Sequence, residues 1–121
     1  MYNNRPHLDW KYNQTYVHTQ EKEIADLLKE HDLKFTYRQP TYLYHSDHRP
    51  AIASPSFTIH SLGKLIVDYS PLKNTFDMDY KQKMYDQNNL DAIVVNKTSF
   101  EYKNWPHDLY NDIASRLNRY G

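Results

Sequence analysis

Asp68 is the residue most able to do chemistry. It follows at once on Leu65-Ile66-Val67, a continuous aliphatic run of the kind found in a strand covered on both faces. A carboxylate at the end of such a strand needs a partner, a metal or a water-filled mouth, because an unpaired buried charge is costly. The alternative is an Asp that faces solvent or caps a turn. A second acid, Glu23, lies one helical turn before Leu27, at the edge of an apolar stripe, from where it can point inward; it can equally be a surface Glu favoured by the helix dipole. His45-x-x-His48, with Asp47 between, falls short of the three or four ligands of a zinc site.

The elements that must position these residues follow from periodicity. Thr19, as N-cap, begins a helix running to about His31, with Glu21 and Glu23 in its first turn and Ile24, Leu27 and Leu28 as its apolar stripe. Strands are expected over 33–38 and 42–45, separated by Gln39-Pro40, with a loop over 46–50. Phe57 and Ile59 alternate with polar residues, Leu62-Gly63-Lys64 makes a turn, and 65–67 returns, so 55–70 reads as a hairpin. A second helix starts at Asp77 or Asp79 and runs to about Asn88, with Tyr80, Met84 and Gln87 on one face. Asn88-Asn89 suits its end, since Asn tolerates the left-handed conformation. The apolar strand over 90–95 completes a strand–helix–strand unit and is expected parallel to the strand at 65–67. Trp105-Pro106 opens a last helix whose stripe is Leu109, Ile113, Leu117 and Tyr120.

Length and composition bound the remaining choices. A chain of 121 residues is one domain by size and long enough to bury a core. Its expected parts are an irregular arm over 1–18, packed through Trp10 and Tyr16, a core over 19–96 and the C-terminal helix over 105–120. With no Cys there is neither a disulfide framework nor a thiolate metal site. The N-terminus lacks the apolar segment of a signal peptide, and no apolar run approaches membrane-spanning length, so the expectation is a soluble cytoplasmic protein without a membrane partner. The net charge of zero excludes a strongly basic nucleic-acid binder, so any such contact must come from a local basic face. The 12 tyrosines can stack on bases, fill a core or line an interface.

Residues 18–96 resemble the PD-(D/E)xK nuclease superfamily, the restriction-endonuclease-like fold. The resemblance is carried by Glu23 to Leu28, Phe35-Thr36-Tyr37, Pro55 to Ile59, Leu65 to Tyr69, and Tyr80 to Tyr85 leading into Leu90 to Val95. It implies an α/β fold, a mixed β-sheet flanked by helices. It also implies a metal-dependent DNA endonuclease, with Mg²⁺ or Mn²⁺ as cofactor, DNA as partner and a homodimer that cuts both strands. Pro55-Ser56 stands where the family has Pro-Asp, and Asp68-Tyr69-Ser70 where it has acid-x-Lys, so Ser56 removes one ligand and Ser70 removes the lysine. The resemblance then assigns Asp68 and Glu23 to the metal, Ser56 to assist, and Lys81 or Lys83 to position water, with Lys64 a weaker candidate. Carboxylates hold the hard cation that orients the attacking water, and a lysine stabilises the developing charge. Two alternatives stay open. One is a nuclease fold that has lost catalysis and binds nucleic acid or a protein; the other is an unrelated α/β domain whose hairpin mimics the frame.

Overall fold

The computed structural model describes residues 15–60 and 63–118. The elements, in chain order, are α1 (Thr19–Glu30), β1 (Phe35–Tyr37), β2 (Thr41–Tyr44), β3 (Pro50–Ala53), β4 (Phe57–His60), β5 (Lys64–Ser70), α2 (Thr75–Gln87), β6 (Ala92–Asn96), a 3-10 helix (Lys97–Glu101) and α3 (Trp105–Leu117). Four strands form a mixed sheet in the order β1-β4-β5-β6. β4 pairs antiparallel with both β1 and β5, and β5 pairs parallel with β6, placing Asp68 opposite Val94. The expected hairpin and strand–helix–strand unit are both present. Its turn at 61–62, the arm over 1–14 with Trp10, and Tyr120 lie outside the described residues.

β5 is central because its sequence lets it be. Every residue from Leu65 to Ser70 is buried, and alternate side chains feed opposite layers. Leu65, Val67 and Tyr69 join α1 and α3 in the larger core, with Phe57, Ile59, Ile93 and Ile113. On the opposite face Ile66 packs with Tyr85 of α2, Ala92 and Leu43 of β2.

Several expectations are corrected. His18, with extended backbone, caps α1 in place of Thr19. The strand over 42–45 pairs with β3, which the sequence reading missed, so β2 and β3 form a separate two-stranded ribbon, Tyr42 opposite Ile52. α2 starts earlier than expected because the Asn74 side chain accepts a hydrogen bond from the Phe76 amide. Its buried residue is Tyr85, whereas Tyr80 is half exposed. The segment after β6, expected as a link, winds into the 3-10 helix. The Asn88-Asn89 stop is as read, Asn89 having a φ of 57°. No helix among the described residues is long and apolar enough to cross a membrane.

Candidate functional site: a buried acid pair bridged by a serine

At one end of the sheet β1, β4 and β5 converge with the start of α1 and the middle of α2. Glu21, three residues before Ile24 and seven before Leu28, sits in the middle of the buried stripe of α1 and is fully buried. Asp68 reaches the same place from β5 and is 4% exposed. Ser56, just before β4, lies between them. Its Oγ donates to Glu21 Oε2 at 2.6 Å, stands 3.2 Å from Asp68 Oδ1, and accepts the Tyr69 amide at 3.1 Å. A hydroxyl has one proton to give, and the shorter contact identifies Glu21 as its acceptor.

Three of the four carboxylate oxygens face two donors each, and Asp68 Oδ1 has one. Glu21 Oε1 accepts from the Tyr37 hydroxyl at 2.5 Å and the His18 amide at 3.2 Å, and Oε2 from Arg38 Nη2 at 3.0 Å besides Ser56. Asp68 Oδ1 accepts from the Ser56 amide at 2.9 Å. Asp68 Oδ2 accepts from the Tyr85 hydroxyl at 2.7 Å and faces Lys81 Nζ at 3.7 Å. Lys81 also faces Asp77 at 3.8 Å, and Asp77 accepts from the Ser70 hydroxyl at 2.5 Å. A continuous polar chain thus runs from Arg38 through Glu21, Ser56, Asp68 and Lys81 to Asp77 and Ser70.

The electrostatics follow from this geometry. Burial pushes the Glu21 carboxyl up, but the Ser56 and Tyr37 hydroxyls, the Arg38 guanidinium and the His18 amide together hold it below the ordinary glutamate range. Burial, and then the neighbouring Asp68 carboxylate, push the Tyr85 hydroxyl up, so it stays a donor. Burial and the hydrogen bond to Glu21 do the same for Tyr37. Arg38 holds its place at a φ of 54°, a conformation costing a non-glycine residue about 1–2 kcal/mol. Its own amide donates to the Ser56 carbonyl at 3.0 Å, which ties that strained residue to the centre.

Of the residues named from sequence, Asp68, Ser56 and Lys81 are brought together. Ser70 lies on the same chain at one remove, through Asp77. Glu23 is exposed, and the acid at the centre is Glu21. Two residues of an α-helix turn through about 200°, so the two positions face nearly opposite ways. Glu21 was legible, since its spacing to Ile24, Ala25 and Leu28 is that of the stripe itself. Lys83 is exposed and lies instead along a groove with His45, Ser46 and Tyr80. Tyr37, Arg38, Asp77 and Tyr85 were missed as members; for Tyr85 the signal was a large aromatic four residues beyond Lys81.

Mg²⁺ is held through one or two carboxylates and keeps several waters, so those carboxylates need lone pairs open to the ion. Here the carboxylate oxygens face amides, hydroxyls, an ammonium and a guanidinium, all donors to them except Ser56 Oγ towards Asp68. An ion could reach these oxygens only if those donors turned aside, and among the described residues no group of three or more His, Asp or Glu that could hold one is present. No protein-family model, curated protein or solved structure matches the chain.

Proposed function

We propose that the protein is a non-catalytic binding module of restriction-endonuclease-like fold, in which the acid pair is a structural centre and the partner is a protein. One observation carries the reading: Ser56 stands between Glu21 and Asp68 and gives a hydroxyl and an amide where a hydrolytic centre would present a third oxygen ligand. Two acids then coexist without a metal because Arg38 and Lys81 balance them. The zero net charge, and a ribbon face that leaves Tyr42, Tyr44 and Ile52 well exposed, suit a protein partner better than a phosphate backbone.

The convergence of Glu21, Asp68 and Lys81 favours a second reading, a Mg²⁺- or Mn²⁺-dependent DNA endonuclease. It requires Tyr85 and Lys81 to release Asp68 before a cation can enter. Incubation with single-stranded, duplex and branched DNA separates the two. The expected result is no cleavage with either metal and no metal-dependent rise in Tm, since an ion that bound only the folded state would raise it. Cleavage by the wild type that disappears in Asp68→Ala overturns the binding-module reading. Tight binding to one of these DNAs without cleavage would make nucleic acid the partner.

A further inference from the structure

Between β6 and α3 lies a cavity of about 260 Å³. Its floor is apolar, made by Ile93, Val95 and Leu109. Its walls are aromatic: Phe100 and Trp105 pack at a centroid distance of 4.4 Å, and Tyr102, 67% exposed, stands with them. Two carboxylates, Asp108 and Asp112, complete the lining. Arg116 donates to Asp112 at 3.0 Å and to Asp91 at 2.7 Å, so its charge is divided between two acids. Among the described residues no cation pairs with Asp108.

We propose that this cavity receives the side chain of an arginine or lysine from a partner protein. The apolar floor suits the alkyl stem, the aromatic lining suits a cation that settles over a ring, and Asp108 supplies the counter-charge. A neutral polar group would lack the cation's attraction to the rings and to Asp108, and an anion would be repelled by Asp108. The site shares no residue with the Asp68 centre. The proposal deepens the binding-module reading by naming the chemistry of its partner, and its test is separate. DNA cleavage would overturn that reading without changing the outcome below.

The test uses the full chain carrying Trp10→Phe, which leaves Trp105 as the only tryptophan. Short capped peptides containing arginine, lysine or citrulline, the neutral isostere of arginine, are titrated while Trp105 fluorescence is followed. A saturable change is expected with arginine or lysine and none with citrulline, and added salt should weaken it. Asp108→Asn should raise the Kd about fivefold. Tyr102→Ala, at an exposed position that leaves the fold intact, should raise it about threefold. An equal response to citrulline, no response to any peptide, or an Asp108→Asn affinity equal to wild type overturns the proposal.

Discussion

Ser56 holds two acids at once, Glu21 through its hydroxyl and Asp68 through its amide, and the donors around those acids set what substitutions should do. Tyr85→Phe removes the hydroxyl from Asp68 Oδ2 and leaves a buried charged acceptor short of one donor. The expected loss is about 1–3 kcal/mol, read from urea unfolding, with an unchanged m-value. A loss below about 0.5 kcal/mol would mean that solvent or Lys81 replaces the phenol. Glu21→Gln keeps the shape but sets an amide against Arg38 and removes the charge from four contacts, so a loss of about 1–3 kcal/mol is expected at neutral pH. The sign of its pH dependence follows from the lowered folded pKa. The stabilisation by ionised Glu21 is complete above the unfolded glutamate value of about 4.3, and is lost as pH falls from there through the lower folded value. Urea unfolding of both proteins across the acid range should therefore show the gap between them closing below about pH 4. A gap that stayed constant would mean that Glu21 acts by shape alone.

At the scale of elements, the acid centre depends on how α2 and the β2–β3 ribbon are anchored. Asn88, at the end of α2, holds the ribbon with both ends of its amide: Nδ2 donates to the Tyr44 carbonyl at 2.9 Å, and Oδ1 accepts the Tyr44 amide at 2.8 Å. Nδ2 also donates to the Met84 carbonyl at 2.8 Å. Beyond these bonds, the ribbon is held chiefly by Leu43 against Ile66, Tyr85 and Ala92. Asn88→Ala should therefore loosen the ribbon without unfolding the sheet. Hydrogen exchange at Leu43 and Tyr44 is expected to speed up about tenfold, with β5 amides unchanged. Equal acceleration in β5 would show that the ribbon and the sheet open as one unit.

For the whole molecule, the four-stranded sheet divides two unequal cores. The larger holds α1 and α3, the smaller α2 and the ribbon. Ile113, fully buried in the larger, should cost about 2–5 kcal/mol as Ile113→Ala in thermal or urea unfolding. Because β5 belongs to both cores, fluorescence and far-UV dichroism should still report one coincident transition. Separate transitions would mean that the two layers unfold independently.

What could be read before the structure was what repeats along the chain. The continuous Leu65–Val67 run and the stripe of α3 show their buried residues locally, whereas the Phe57/Ile59 alternation marks only one face of a strand whose polar residue Thr58 is buried as well. Asp68 was legible as the residue to watch because it interrupts such a run. The β2–β3 ribbon was not, because Pro50–Ala53 is a short Pro- and Ala-rich strand with little local strand signal. Glu21 and Glu23 both lie in the first turn of α1 and are equally favoured by the dipole. The stripe spacing puts Glu21, not Glu23, on the buried face, but only the packing of α1 against the sheet brings Ser56, 35 residues away in sequence, to meet it there. The same holds for Tyr85 and Lys81 on α2 and for Arg38 after β1, whose side chains reach the acids from elsewhere in the chain. Local spacing determines which face of an element is buried. Which polar groups meet at its end is decided by long-range packing, because the carboxylates are tolerated there only when donors from distant segments arrive together.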